Sequence, residues 1–176
     1  MFRIPSALVL LFCAGAFSLS SSAKIEHLLP RPQQLTKQAG HFALQCALRL
    51  DDPTNTPLLR KVLTDHGATF SESSAATVHV VMDKSLNTFD YPLAGFGNEG
   101  YRLDISPNKI TITVAEPIGV VRAAQTLRQL ALGTEGSPQV EALTMTDFPA
   151  FKVRGVMHDV GRSFIDIEEP VSYTHL

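Results

Sequence analysis

The sequence has 176 residues, of which 44% are hydrophobic and 18% are charged, and its formal net charge is -2. These values are typical of a globular chain with a packed core, and they exclude a disordered or fibrous protein. Because the net charge is near zero and no block of like charges occurs, neither nucleic acid nor an anionic membrane is expected as a partner.

Residues 1–23 have the pattern of a signal peptide. A basic residue near the start precedes the apolar stretch Ala7–Leu19, and the small residues Ser21 and Ala23 suit cleavage. The apolar stretch is shorter than the roughly 20 residues that a membrane span needs. We therefore expect an exported protein that begins near Lys24, resides in a periplasmic, extracellular or lysosome-like compartment, and does not contact a membrane after cleavage.

Cleavage would leave one cysteine, Cys46, which excludes an internal disulfide. We interpret it as a small buried side chain in a strand from about His41 to Leu50, because no histidine or acid lies beside it to activate a nucleophile. The period of two in that strand predicts one buried face, formed by Phe42, Leu44, Cys46, Leu48 and Leu50.

A helix is predicted after the segment "DDPTNTP", with Thr56 as its N-cap, Pro57 at its first position and Gly67 as its end. The β-branched run Thr77–Asp83 then predicts a second strand. The apolar residues of the helix follow helical spacing and are expected in the core: Leu58, Leu59, Val62 and Leu63.

Two strands, "YRLDIS" and "KITITVA", form a predicted hairpin whose turn contains Pro107 and Asn108. The helix that follows, "EPIGVVRAAQTLRQLALG", ends at Gly133 and shows clear helical periodicity. We interpret its polar residues as solvated: Arg122, Gln125, Arg128 and Gln129.

Strands are also predicted for "VEALTMTDFP" and "FKVRGVMHDV". The order of elements indicates an α/β (α+β) domain, in which two helices pack on one face of a mixed, partly antiparallel sheet with one antiparallel pair.

The residues that carry chemistry do not form a recognisable metal or phosphate site. His158 and Asp159 are adjacent in a predicted strand and therefore point to opposite sides, so neither a metal nor another cofactor is expected. "GFGNEG" matches a phosphate-loop pattern but precedes a strand instead of a helix. From the residues alone, Arg154 is a surface residue or a salt-bridge partner.

Three segments carry a family resemblance: "LLPRPQQL", "EGYRLDIS…ITITVAEPIGVVRAAQTLRQL" and "DFPAFKVRGVMHDVGRSF". In this order and spacing, the chain resembles family-20 glycoside hydrolases, the β-N-acetylhexosaminidases, from about Leu28 to Ile167. The resemblance implies that residues 24–147 form a non-catalytic α/β domain and that residues 148–169 begin a catalytic (β/α)8 barrel. It also implies that Arg154 binds hydroxyls of a non-reducing-end N-acetylhexosamine, for which a guanidinium supplies several fixed donors.

The resemblance further implies a substrate-assisted retaining mechanism that uses an Asp-Glu pair. A barrel takes about 250 residues, so we expect that pair to be missing and this chain to be an inactive fragment. The segment Pro170–Leu176 does not continue a helical pattern and is predicted to be a non-native tail. The substrate implied for a full-length form is a glycan ending in N-acetylhexosamine or a chito-oligosaccharide.

An alternative interpretation is a stand-alone, non-catalytic module that binds a carbohydrate or a protein partner. Such a module would need exposed aromatic platforms, whereas the sequence contains no Trp and 3 Tyr. We also expect the residues after about Phe148 to be loosely held, because an isolated barrel strand lacks the neighbours that would bury it.

Overall fold

The structure, a computed structural model, describes residues 28–88, 99–131, 138–151 and 154–155. In this part of the chain, seven strands form one sheet in the order β1-β7-β5-β6-β4-β2-β3. The strands are β1 Gln34–Ala43, β2 Ala47–Asp51, β3 Thr69–Phe70, β4 Thr77–Met82, β5 Tyr101–Ser106, β6 Lys109–Val114 and β7 Gln139–Asp147. The helices are α1 Pro57–Asp65 and α2 Pro117–Ala131, and a short 3-10 helix covers Lys84–Thr88. The predicted signal peptide and the predicted non-native tail lie outside the described residues.

The sheet is mixed, as the sequence predicted, but it contains more antiparallel strand pairs than expected. Antiparallel pairs join β1 to β7, β5 to β6 and β5 to β7. Parallel pairs join β2 to β3, β2 to β4 and β4 to β6. The prediction of one antiparallel pair is therefore wrong, because only the hairpin is joined by a short turn that sequence patterns reveal.

The single strand predicted from His41 to Leu50 is also wrong. The chain bends between β1 and β2, and the backbone N–H of Cys46 donates to the carbonyl of Leu44 at 2.9 Å. The two resulting strands pair with different neighbours in the sheet. Phe42, Leu44 and Leu48 are nevertheless buried, so the alternation correctly predicted the buried face. Cys46 packs against the core, as predicted, but it is half-buried and lies in the bend between β1 and β2 instead of in a strand.

The path of β1 depends on a glycine. The pairing of β1 with β7 is irregular between Lys37 and His41, and Gly40 has a φ of 105°. A Cβ atom on Gly40 would lie 2.8 Å from Cγ of Pro107, in the turn of the β5–β6 hairpin. An L side chain would thus be strained here both by its backbone conformation and by this contact.

Helix α1 forms where the sequence predicted it. Thr56 is its N-cap residue with Pro57 following, and Gly67, at a φ of 85°, comes just after the C-cap. The hydroxyl of Thr56 hydrogen-bonds Thr54 and does not cap the helix. The buried residues are Leu59, Val62 and Leu63, and Leu58 packs partly buried against the same core.

Helix α2 contacts α1, so both helices cover the same face of the sheet. The close packing of α2 depends on Gly119, where a Cβ atom would lie 2.5 Å from the carbonyl oxygen of Gly100. The predicted helix end at Gly133 lies outside the described residues. No helix in the described part of the chain combines the length and the apolar character that crossing a bilayer requires.

The predicted hairpin is confirmed. Ile110, Ile112 and Val114 of β6 are fully buried beneath the helices, while Thr111 and Thr113 point to the other, partly exposed face. The hydrophobic core therefore lies between this face of the sheet and the two helices.

The predicted strand "FKVRGVMHDV" is only partly covered by the structure. Phe151, Arg154 and Gly155 are described and belong to no strand, and the remainder lies outside the described residues. The expected loose packing after Phe148 stays a prediction.

Candidate functional site

A cavity of about 860 Å³ opens where β7 ends. Its walls are residues 28–33, one side of α2, the end of β7 with the residues that follow it, and the side chains of Glu99 and Arg154. Two exposed apolar side chains, Leu29 and Phe151, line it as well. The cavity thus combines apolar walls with a few charged groups, as ligand sites and domain interfaces both do.

Arg154 makes its described contacts inside this cavity. Its Nη2 donates to both carboxylate oxygens of Glu99, at 2.9 and 2.7 Å, and its Nη1 donates to the carbonyl oxygen of Phe151 at 2.7 Å. The side chain of Arg154 is 42% exposed and that of Glu99 is 27% exposed. The salt-bridge interpretation of Arg154 is therefore confirmed, whereas its predicted contact with a sugar is not tested by these contacts and stays a prediction.

A second arginine also binds Glu99. Arg122 in α2 donates from Nε to Oε2 of Glu99 at 2.9 Å, and its Nη2 lies 2.8 Å from the same oxygen. Hydrogen bonds from Arg154, followed by those from Arg122, lower the pKa of Glu99 below its ordinary value. Glu99 therefore favours its ionised form, which binds the guanidinium groups of both arginines and has no proton to donate at neutral pH.

A second carboxylate at the cavity, that of Asp147, is in the opposite electrostatic situation. Burial raises the pKa of Asp147, and the hydrogen bond from the backbone N–H of Gln33 to Oδ1, at 3.3 Å, only partly offsets this effect. The Tyr101 hydroxyl lies 3.3 Å from Oδ2 of Asp147 and 2.6 Å from the hydroxyl of Thr126. Burial also raises the pKa of the Tyr101 hydroxyl. This hydroxyl therefore stays neutral and donates a hydrogen bond to the partly desolvated carboxylate of Asp147.

The segment that enters the domain is fastened to the same cavity. The amide of Gln129 accepts from the backbone N–H of Leu29 and donates to its carbonyl, both at 3.0 Å. The side-chain amide of Gln33 donates to the carbonyl of Phe148 at 3.3 Å. The entering segment is therefore bound both to α2 and to the leaving segment.

The structure corrects the solvated interpretation for two polar residues of α2, Arg122 and Gln129, whereas Gln125 and Arg128 are exposed as predicted. Arg122 pairs with Glu99 and also hydrogen-bonds Gln125, and Gln129 binds the backbone of Leu29. The prediction failed for these two residues because Glu99 and Leu29 lie far from them in the sequence. The cluster of Glu99, Arg122 and Arg154 carries no sequence pattern, although Glu99 stands beside Gly100 at the start of a clear strand.

A polar depression lies on the other face of the sheet, lined by residues of β2, β4 and β6. There, Nδ1 of His79 lies 2.7 Å from Oδ2 of Asp51. Among the described residues, no group of three or more histidine, cysteine or acidic side chains is placed to hold a metal ion.

Comparison with protein families identifies this architecture. Residues 26–148 match the model of glycosyl hydrolase family 20, domain 2. The chain belongs to this family, and the matched span coincides with the sheet and helices described above.

Relatives at the sequence level carry consistent names. The chain is 39% identical over 75 residues to a beta-N-acetylhexosaminidase of Cellulomonas fimi, covering 42% of this chain and 15% of that protein. It is 25% identical over 144 residues to a beta-hexosaminidase of Vibrio furnissii, covering 80% of this chain and 22% of that protein. The chain therefore spans only a minor part of these relatives.

Solved structures share the fold. The beta-N-acetylhexosaminidase of Bacteroides fragilis superposes with a TM-score of 0.61 at 23% identity, over 83% of this chain and 29% of that one. The N-acetyl-beta-hexosaminidase of Streptomyces plicatus gives a TM-score of 0.60 at 22% identity, over 85% of this chain and 32% of that one. At these identities the likeness supports the fold alone.

Proposed function

We propose that this chain supplies the non-catalytic domain and the first barrel strand of an exported β-N-acetylhexosaminidase. The observation that carries the proposal is the family match over residues 26–148. The relatives named above as hexosaminidases, of which this chain spans 15% and 22%, support it. The activity belongs to a longer protein in which a catalytic barrel follows residue 148.

The proposed enzyme hydrolyses terminal non-reducing N-acetylhexosamine residues of glycans or chito-oligosaccharides with retention of configuration. A glutamic acid protonates the leaving oxygen while the carbonyl of the substrate's own acetamido group attacks the anomeric carbon, and an aspartate orients that group. Water then opens the cyclic intermediate. The Asp-Glu pair that performs these steps is proposed to lie outside the 176 residues.

The carboxylates of the described cavity are consistent with a non-catalytic role. A general acid for this reaction needs a raised pKa and access to the leaving oxygen. Glu99 has a lowered pKa because two arginines bind it. Burial raises the pKa of Asp147, but its two carboxylate oxygens are already engaged by hydrogen bonds from Gln33 and Tyr101. The role of Arg154 in binding sugar hydroxyls is part of the proposal and rests on the resemblance of its motif.

The first test is enzymatic. The purified 176-residue chain is incubated with a chromogenic β-N-acetylglucosaminide, and no release of the chromophore above buffer is expected. Turnover that co-purifies with the chain would contradict the proposal that the catalytic pair lies elsewhere. A full-length family member assayed in parallel serves as the positive control.

The second test is genetic and addresses the longer protein directly. The DNA downstream of the codon for Leu176 is sequenced and translated in all frames. An open reading frame with an adjacent Asp-Glu pair after a predicted barrel strand is expected. Intact genomic DNA without such a frame would overturn the proposal of a barrel enzyme.

A further inference from the structure

We infer that residues 28–33, which we call the strap, open and close as one unit over the cavity at the end of β7. Gln129 of α2 holds the strap closed by binding the main chain of Leu29. The inference does not depend on hexosaminidase activity, and it is tested on the chain without any substrate.

The first argument is the small amount of apolar burial in the strap. Leu28 is 4% exposed and joins the main core, but the rest of the strap is exposed or half-buried, and Leu29 is 74% exposed. The strap is neither helix nor strand, and β1 begins directly after it at Gln34. Segments with few buried apolar contacts open locally at a lower free energy than the core does. The strap therefore needs polar interactions to stay closed.

The second argument is the contact that Gln129 makes from the last turn of α2. Its side-chain amide accepts from the backbone N–H of Leu29 and donates to the carbonyl of Leu29, both at 3.0 Å. A neighbouring antiparallel strand would pair with the same two groups. The side chain of Leu29 takes no part in either bond. Gln129 therefore recognises the backbone at this position, whichever side chain it carries.

The third argument is the attachment of the other end of the strap, at Gln33, to the end of β7. The backbone N–H of Gln33 donates to Oδ1 of Asp147, and its side-chain amide donates to the carbonyl of Phe148, each at 3.3 Å. Pro30 and Pro32 lie between the two attachments, and each fixes its own φ and restricts the residue before it. Because the segment is stiff and bound at both ends, release at one end loosens the other.

The strap also affects the polar cluster of the cavity. Strap residues line the cavity together with Tyr101 and Asp147, and Gln33 supplies one of the donors to the half-buried carboxylate of Asp147. Opening the strap would remove this donor and admit solvent to the cluster. The strap is therefore a conformational device that sets the access of water to one end of the cavity.

The experiment is hydrogen exchange of the backbone amides in the complete 176-residue chain, followed residue by residue by NMR. Gln129→Ala removes both bonds to Leu29, and the protection of the Leu29 amide is expected to fall about tenfold. The protection of the Gln33 amide is expected to fall by a similar factor, because the strap opens as one unit. The amides of β6, which lies inside the sheet, should keep their protection.

Gln125→Ala is the matched control, because it shortens the same type of side chain one turn earlier in α2, where Gln125 hydrogen-bonds Arg122. The protection of the Leu29 and Gln33 amides should equal that of the unmodified chain. An unchanged Gln33 amide in Gln129→Ala would overturn the inference of one unit. An equal loss of protection in β6 would indicate a general loss of stability and would overturn it as well.

Gln129→Glu keeps the test decisive if Gln129→Ala impairs folding. The new carboxylate still accepts from the backbone N–H of Leu29, but it has no proton to donate to the carbonyl. At neutral pH, the protection of the Leu29 and Gln33 amides is therefore expected to be lower than in the unmodified chain. As the pH falls and the new side chain gains a proton, both amides should recover toward the values of the unmodified chain at the same pH. Protection that does not recover would contradict the role of Gln129.

Discussion

The two carboxylates at the cavity, Glu99 and Asp147, have pKa values that their surroundings shift in opposite directions. The arginines around Glu99 lower its pKa, so its contribution to stability is present above its ordinary pKa and is lost as pH falls through the lowered value. Burial raises the pKa of Asp147, so its ionisation opposes folding as pH rises through the range between its ordinary and raised values. Both residues are acids in the sequence, and only the folded surroundings distinguish them.

Asp147→Asn should therefore gain stability relative to the unmodified chain as pH rises from about 3 to about 7. The asparagine keeps an acceptor for the backbone N–H of Gln33 and removes the charge that burial penalises. The free energy of unfolding is measured by denaturant titration at a series of pH values. Asp104→Asn, on the partly exposed face of β5, is the control and should show no comparable gain. Parallel pH profiles for Asp147→Asn and the unmodified chain would contradict this explanation.

At the scale of elements, the sequence correctly predicted the features that depend on neighbouring residues, such as helix ends and the buried face of a strand. The helix α1 begins at Pro57 after an N-cap residue, and the alternation in β6 placed Ile110 and Ile112 in the core. The break between β1 and β2 was missed because the alternation of Phe42, Leu44 and Leu48 continues through it. Both strands face the same core, so a bend between them leaves no mark in the hydrophobic pattern.

Gly119→Ala should destabilise the domain by about 2 kcal/mol, because the added methyl group has no space between α2 and β5–β6. The new Cβ atom would lie 2.5 Å from the carbonyl oxygen of Gly100 and 2.9 Å from Cγ1 of Val114. This cost exceeds the gain of about 1 kcal/mol that alanine brings to a helix interior. The measurement is the free energy of unfolding by urea titration.

Gly155→Ala is the matched control for the glycine substitution. A Cβ atom at Gly155 meets no atom within 4 Å, so the change in stability should stay below about 0.5 kcal/mol. Equal effects at the two glycines would show that close packing of α2 is not the reason for Gly119.

At the scale of the whole molecule, the fold class could be predicted from the sequence and the site could not. The two helices and the hairpin follow from periodicity, the number of strands does not, and the family motifs add the domain context. The contact between Arg154 and Glu99 joins positions 55 residues apart, and it depends on how the start of β5, the end of β7 and α2 come together. Sequence patterns favoured a salt bridge for Arg154 without identifying its partner.

The isolated chain should show no saturable binding of chito-oligosaccharides with a Kd below about 1 mM in calorimetry. The sequence has no Trp, and of the aromatic side chains that line the cavity only Phe151 is largely exposed, so the described part of the chain offers no broad stacking platform. A catalytically intact family member titrated under the same conditions controls for ligand quality. Saturable binding to this chain would instead support the stand-alone binding module.

β1 and β7, the first and last strands in the described part of the chain, are paired, and this affects how such a domain can be combined with others. The backbone N–H of Gln33 lies 3.3 Å from Oδ1 of Asp147, so the segment that leads into β1 lies beside the end of β7. A domain whose two ends lie close together can be inserted into another protein, or removed from it, without separating the segments on either side of it. Permuted chains that join the two ends by a short linker and open at another surface loop should retain the same sheet.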